Sequence, residues 1–365
     1  MQRLTTAKPI GHICVIVAER QPVIMASELH MKANTALIGA GLWGRNIARN
    51  LADLGALKGI YDHSHEQAAH IAASCTDAYH VEPLTLDGLL ADPDITGVAI
   101  AAPAPSHHDL AIRALAAGKH IYVEKPLALS LVEAEAIANA AKQAGKHVML
   151  GHLLRYHGAF IALDAAITEG RIGQLTHIRA NRLAPGRVRA TESALYDLCP
   201  HDLAMMCRLM RGVEPVEVSC QTICHITAGI DDIVHADFGF ANGVTASIQA
   251  NWMNPVKVHN LTVIGDEASL VFDDTKPWES KLMRYPMRII RDSIAPDLER
   301  GEPESIPLPA SEPLKDEMRA FLTMIETNTP PPSDITEALY VQRMLDRMER
   351  AAITTAQQLS RFDGK

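Results

Sequence analysis

The sequence predicts an α/β chain with two unlike halves, a doubly wound parallel sheet followed by an α+β region whose sheet is open and largely antiparallel. Two patterns carry this expectation. From Thr35 to Leu150, short apolar runs alternate with amphipathic segments of helical period, as right-handed crossovers in a parallel sheet require. From Leu175 to Phe272, apolar runs follow one another directly, and Ala241-Asn242-Gly243 joins two of them with the residues of a hairpin turn. At 365 residues the chain is long for a single core, so two domains are expected.

Residues 1–31 read as an N-terminal extension. Arg3 and Lys8 precede a short apolar stretch, Ile13 to Ala18, with a faint likeness to an export signal. Glu19 and Arg20 close it and no small-residue cleavage site follows, so the first domain is expected to open at Met31 and to occupy 32–151. Its first strand, Thr35 to Ile38, ends in Gly39-Ala40-Gly41-Leu42-Trp43-Gly44 and leads into a helix marked by Ile47, Leu51 and Leu54. A GxGxxG means little alone, but between a strand and a helix each glycine has a mechanical reason. Gly39 permits the tight turn, Gly41 lets backbone approach a pyrophosphate, and Gly44 lets helix and strand pack closely. The helix start, with Leu42 and Trp43, presents unpaired N–H groups and a positive dipole end to phosphate. After Gly55, the strand Leu57 to Tyr61 delivers Asp62, placed to bind the adenosine ribose hydroxyls and to repel a 2′-phosphate. His63 and Ser64 follow it, not Arg or Lys, so a Rossmann domain taking NAD in preference to NADP is expected.

The alternation continues through a helix near His65–Ser74 and strands at Gly97–Ala101, His120–Val123 and His147–Leu150, with helices at Ser106–Ala117 and Ser130–Ala144 between them. Ligands gather at the carboxyl ends of such strands. Two of those ends carry unusual residues: Ala101-Ala102-Pro103-Ala104-Pro105-Ser106-His107, and Glu124-Lys125-Pro126.

Composition narrows the function classes. A net charge of −9 argues against a nucleic-acid partner. No apolar run approaches the ~20 residues that span a bilayer, so no membrane partner is expected. The six cysteines are scattered without a CxxC pair, which fits reduced thiols in the cytoplasm better than a disulfide framework, and no metal site is expected.

Glu124-Lys125-Pro126 at the place after the fifth strand of a dinucleotide fold, with Gly118-Lys119-His120 leading in, resembles the glucose–fructose oxidoreductase / inositol dehydrogenase (Gfo/Idh/MocA) family. The likeness extends to the proline-rich turn with His107, to Tyr196-Asp197-Leu198-Cys199-Pro200-His201-Asp202, and to Glu317, Met318, Arg319 and Phe321 in a late helix. It implies an NAD(P)-dependent dehydrogenase acting on CH–OH groups, with cofactor contacts at Ala102, Pro103, His107, Glu124 and Lys125. It also implies that Lys125 lies near the reacting carbinol, where an ammonium stabilises developing alkoxide. His201 is then the general base or acid, Asp197 contacts substrate or orients that base, and Lys125-Pro126 is a cis bond. Against these stand plainer readings: a solvated lysine, a packed histidine among the 17 present, and an aspartate capping a helix. Cys199 stands where many relatives have glycine and reads as a packing residue.

A substrate and oligomerisation domain is expected over 152–312, with a helix around Phe160, Leu163 and Ile167 and strands at Leu175–Leu183, Val213–Ile226, Ile233–Phe240, Val244–Trp252, Val258–Ile264 and Ser269–Phe272. The stretch Asp273 to Pro313 shows no clear periodicity. Helices near Glu312–Thr327 and Asp334–Ala352, within 313–354, are expected to brace the Rossmann domain. Arg155, Tyr156, Arg182 and Arg187, with Arg189, are candidate substrate contacts, either as a diphosphate clamp suited to guanidinium geometry or as a solvated basic face. The wording around Trp43, Arg155 and Arg182 resembles the branch holding UDP-N-acetylglucosamine and UDP-N-acetylglucosaminuronate 3-dehydrogenases. A sugar or nucleotide-sugar substrate oxidised at C3, in a polysaccharide-building context, is the expectation. An inositol or free-sugar dehydrogenase and a catalytically silent NAD-binding sensor remain as alternatives. An open sheet face suggests a homo-oligomer, dimer or tetramer.

Overall fold

The computed structural model describes residues 34–75, 80–186, 188–189, 192–227, 229–290 and 297–360, with side chains as far as 352. The expected N-terminal extension and Arg187 lie outside the described residues. In chain order the first layer comprises β1 (Thr35–Ile38), α1 (Gly44–Asp53), β2 (Leu57–Tyr61), α2 (His65–Ser74), β3 (Glu82–Pro83), α3 (Leu86–Ala91), β4 (Gly97–Ile100), α4 (His107–Ala116), β5 (His120–Val123), α5 (Leu131–Ala144) and β6 (Val148–Leu150). The strands pair in parallel in the order β3-β2-β1-β4-β5-β6. Every residue of β1, β4, β5 and β6 is buried, as strands covered by helices on both faces must be. Local chemistry sets the helix ends. Ser64, Thr85 and Ser130 accept from the backbone N–H three residues on, and Gly145 closes α5 in the left-handed conformation at φ 62°. The strand order reverses between β1 and β4, which opens a crevice at their carboxyl ends.

The second layer comprises α6 (Gly158–Thr168), β7 (Leu175–Pro185), α7 (Ala194–Leu209), β8 (Glu217–Ile223), β9 (Ile233–Gly239), β10 (Thr245–Asn251), β11 (Met253–Gly265), β12 (Ala268–Asp273), β13 (Leu282–Ile290), β14 (Asp297–Arg300) and β15 (Glu304–Ser305). Its order is β14-β13-β12-β11-β7-β10-β9-β8, with β15 beside β13. All these pairings are antiparallel except β7 with β10. The β9–β10 turn closes with Gly243 at φ 84°, a left-handed conformation that glycine adopts without strain. Two short elements of the first layer, β3 and α3, had no sequence counterpart. The stretch 273–313 is also more ordered than its sequence suggests, since it holds β13, β14 and β15. Those strands lie at the exposed edge, where partial burial gives no clean alternation.

The closing helices, α8 (Pro313–Thr327) and α9 (Ile335–Ser360), differ in what they cover. Met318, Phe321, Leu322 and Met324 of α8 pack on one face of the parallel sheet. From α9, Ala338 joins the core on its other face, but Tyr340, Val341, Met344, Leu345 and Met348 enter the core beneath the second sheet. The last helix therefore belongs to both layers rather than simply bracing the first. Among the described residues no helix is long and apolar enough to cross a membrane.

A buried polar knot fixes α9. Glu337 accepts from Arg155 Nε at 2.8 Å and lies 2.9 Å from His152 Nδ1, while Tyr156 Oη meets Ser333 Oγ at 2.9 Å. Arg155 and Glu337 are each under one-tenth exposed. Removing one partner of such a pair strands the other's charge. Arg155→Met is expected to lower stability by about 3–5 kcal/mol, read as a fall in the urea midpoint. A midpoint within error of the unmodified protein would show that the knot does not carry α9.

Candidate active site

The glycine-rich turn has the form a dinucleotide needs. Gly39 adopts φ 97°, and a Cβ there would lie 2.6 Å from Ala102 N, so only glycine fits. A Cβ on Gly44 would collide with the Gly39 carbonyl, whereas one on Gly41 would meet nothing within 4 Å. The space above Gly41 is thus open to a ligand while the turn beneath it is closed. α1 has no side-chain cap and no acid in its first turn, leaving the positive end of its dipole for phosphate. Asp62 stands at the end of β2, where its Oδ2 accepts from Ala40 N–H at 2.8 Å and its Oδ1 from Ser64 N–H at 2.9 Å. These bonds fix the carboxylate beside the glycine turn.

A cleft of about 370 Å³ opens at the carboxyl ends of β4 and β5. Trp43, Ala102, Pro103, His107, Glu124 and Lys125 line one side; Arg189, Glu192, Asp197 and His201 line the other. Lys125-Pro126 is a cis peptide. His107 is buried with Nδ1 2.7 Å from the Pro126 carbonyl and Nε2 2.8 Å from the Ala102 carbonyl, so both ring nitrogens are occupied in joining the two loops. Trp43 Nε1 donates to Glu124 Oε1 along that same side. Gly151, just after β6, leaves room behind this floor. A Cβ there would lie 2.6 Å from Tyr122 Oη and 3.0 Å from Glu124 Oε2.

The second side comes from α7, which carries Asp197 and His201 one turn apart. Lys125 Nζ donates to Asp197 Oδ1 at 2.6 Å and to the Asp197 backbone carbonyl at 2.7 Å. Arg189 Nε donates to Asp197 Oδ2 at 3.1 Å. Burial pushes the Asp197 carboxyl up, but the Lys125 ammonium and Arg189 guanidinium outweigh it and hold the group below the usual carboxylate range. Burial, with the Arg182 and Lys125 charges, pushes the His201 imidazole well below its ordinary value. Its Nδ1 is buried without a partner among the described residues. A neutral imidazole facing a lysine and a tethered carboxylate can accept a proton at neutral pH. Burial also pushes the Glu192 carboxyl up, a residue that no motif marks out.

Several expected placements differ. Asp197 makes no hydrogen bond to His201 and instead orients Lys125, because two cations take its oxygens. Arg155 and Tyr156 do not line the cleft; their polar atoms are committed to Glu337 and Ser333. Arg182 lines a separate, small cavity with Asn181, His259 and Asp274, its fork closed on Asp202 by two 2.9 Å bonds. Of the described arginines expected to contact substrate, Arg189 alone lines the cleft. Cys199 is fully buried and burial pushes its thiol well up, as a packing residue requires. No cluster of three His, Cys, Asp or Glu among the described residues is placed to hold a metal ion.

Asp62 generates a cofactor prediction. The unmodified protein is expected to bind NAD more tightly than NADP, and Asp62→Ala to narrow the gap. Calorimetry giving equal affinities before the substitution would remove the assignment.

Residues 33–152 match the oxidoreductase family with an NAD-binding Rossmann fold, and residues 160–271 match the GFO/IDH/MocA C-terminal domain. The UDP-N-acetylglucosamine 3-dehydrogenase of Acidithiobacillus ferrooxidans is 33% identical over 224 residues, covering 61% of this chain and 67% of that protein. An inositol 2-dehydrogenase of Acidothermus cellulolyticus is 34% identical over 179 residues, 47% of this chain and about half (51%) of that protein. The solved structure of the Acidithiobacillus enzyme superposes with a TM-score of 0.75 at 26% identity, covering 87% of this chain and 96% of its own. Paired domains of this kind and an NAD-shaped glycine turn place the chain in the Gfo/Idh/MocA family of NAD-binding oxidoreductases.

Proposed function

We propose that the protein transfers hydride between a secondary carbinol on a sugar-type ring and the nicotinamide of NAD. One observation carries this reading: Lys125, bound to Asp197 at 2.6 Å, and His201, its proton affinity lowered by burial and nearby cations, line a single cleft at the carboxyl ends of the parallel strands. The glycine turn and uncapped α1 would hold the pyrophosphate, Asp62 the adenosine ribose, and Glu124 a hydroxyl near the nicotinamide. NAD, when bound, supplies the hydride acceptor. The Lys125 ammonium hydrogen-bonds the carbinol oxygen and favours the charge that develops there as the C–H bond is lost. His201 takes the hydroxyl proton. Asp197 keeps Lys125 directed at the reacting oxygen, and Arg189 keeps Asp197 charged.

Each of Lys125→Ala and His201→Ala is expected to lower kcat by ~10²–10⁴-fold while leaving NAD binding largely intact. In the unmodified enzyme, oxidation should keep its rate as pH falls through 6.5, the ordinary value for histidine, because the depressed imidazole stays neutral and able to accept a proton. Near-full turnover in both variants, or an acid limb at or above that pH, would place the base elsewhere.

The finer reading is oxidation at C3 of a UDP-linked N-acetylhexosamine or its uronate. The likeness to the Acidithiobacillus dehydrogenase favours it, as does Arg189 at the cleft. The competing reading, an inositol or unlinked sugar, draws on a different observation. An adjoining cavity of about 500 Å³ shares Pro103, Ala104 and Glu192 with the cleft and adds Asp231 and Glu349, a poor setting for a diphosphate. A panel followed by NADH absorbance separates the two. The finer reading requires kcat/KM for a UDP-sugar to exceed that of its free counterpart, and Arg189→Ala to raise KM. Equal kcat/KM would decide for the unlinked ring.

A further inference from the structure

Behind Glu124 at the cleft floor, Tyr122 and Glu317 extend a chain of acidic groups that the chemistry above leaves unused. Tyr122 is wholly buried on β5, its ring 5.9 Å from that of Phe321 on α8. Its hydroxyl lies between two carboxyls, 2.6 Å from Glu124 Oε1 and 3.3 Å from Glu317 Oε2. A phenol has one proton to give, and the shorter distance assigns it to Glu124. Trp43 Nε1 and the Lys125 backbone N–H also donate to Glu124, so three donors converge on that carboxylate.

Glu317 is in the opposite situation. It is 0% exposed, and its Oε1 meets no partner among the described residues. The titratable groups that act on it or that it acts on are Tyr122 and Glu124 from β5 and its end, and Tyr156 from the turn after β6. None of these is a cation, and Met318, Phe321 and Leu322 on the same helix belong to an apolar core. An ionised carboxylate there would be an uncompensated buried charge. A protonated one would instead have a hydrogen to give, and the Tyr122 oxygen lies within reach of it. Burial pushes both carboxyls up, Glu317 well above the usual range; at Glu124 the Tyr122 and Trp43 bonds and the Lys125 charge oppose that push.

We propose that Glu317 is a positioning residue for the cofactor site: protonated, it donates to Tyr122 Oη, commits the phenol proton to Glu124, and so holds Glu124 charged at the cleft floor. The proposal rests on the placement of Glu124 beside the bound dinucleotide. It reaches the cleft from α8, a helix that lines no part of it, and it gives the late helix a role in cofactor affinity.

NADH binding to the full chain, titrated by fluorescence across a range of pH, tests it with variants checked for a native circular-dichroism spectrum. Tyr122→Phe should weaken binding about tenfold, the loss of one hydrogen bond to a charged group, and Glu317→Leu, which removes the donor to Tyr122 Oη, should weaken it by a smaller factor. Glu317→Gln should recover most of the affinity lost in Glu317→Leu, because its amide still donates. Its acid limb should coincide with that of the unmodified protein, since Glu317 carries no charge to remove. If the leucine variant does not fold, the phenylalanine and glutamine variants decide alone. An acid limb shifted to lower pH in Glu317→Gln would mean that Glu317 had been ionised, and would overturn the proposal. Unaltered binding in Tyr122→Phe alongside weakened binding in Glu124→Gln would sink the relay alone. Unaltered binding in Glu124→Gln would sink the placement of Glu124 with it.

Discussion

The ion pair between Lys125 Nζ and Asp197 Oδ1, at 2.6 Å, joins the end of a parallel strand to the helix that carries His201. Neither partner is more than about a fifth exposed, with side-chain accessibilities of 18% and 10%. Two charges withdrawn from water in this way hold together only when their remaining hydrogen-bonding capacity is met. Here the ammonium also donates to the Asp197 carbonyl, which leaves one N–H toward the cleft, and the carboxylate also receives Arg189. That carbonyl is the one a regular helix would offer to the His201 N–H four residues on. The lysine thus grips the helix at the turn that presents the imidazole, and its position and that of His201 are set together. The low affinity of His201 for a proton follows in part from the same ammonium.

The features legible in the sequence are those whose physics is local. Gly39, Gly41 and Gly44 announce a phosphate turn because backbone conformation and close packing are decided within six residues. Asp62 follows from the length of one helix and one strand, and the Asn242-Gly243 turn from its own dihedral needs. What stayed hidden depends on partners remote in the chain. Nothing near Arg155 shows that Glu337, 182 residues later, will take its guanidinium into the interior. Nothing in the helical period of α7 shows that the Arg182 fork is closed by Asp202 rather than left for a ligand. Arginine composition alone cannot separate a clamp from a buried ion pair, because the same planar donors serve both. α3 was missed for a simpler reason: six residues are too few to show a period.

The two sides of the cleft obey different electrostatic rules. On the strand side, no cation acts on Glu317 and burial pushes it well toward the neutral form, while at Glu124 burial pushes the same way against the Tyr122 and Trp43 bonds and the Lys125 charge. On the helix side, Asp197 faces a lysine and an arginine, and charge dominates burial. The cleft separates an interior that stores protons from a surface that keeps its charge. That division lets one small site hold a neutral base and a charged hydrogen-bond donor side by side without either neutralising the other.

Gly151 has a further significance for how the sequence can drift. It lies in no glycine motif, and nothing in the local sequence distinguishes it from a tolerant loop position. Yet alanine, the smallest side chain that could replace it, would press a methyl group against Tyr122 Oη and Glu124 Oε2 at once. Most interior neighbours can retreat when a methyl intrudes, but these two are held by each other and by Trp43. The lineage carrying this arrangement is therefore locked at a position that supplies no atom to the chemistry, and any change there would have to wait for Tyr122 to be lost first.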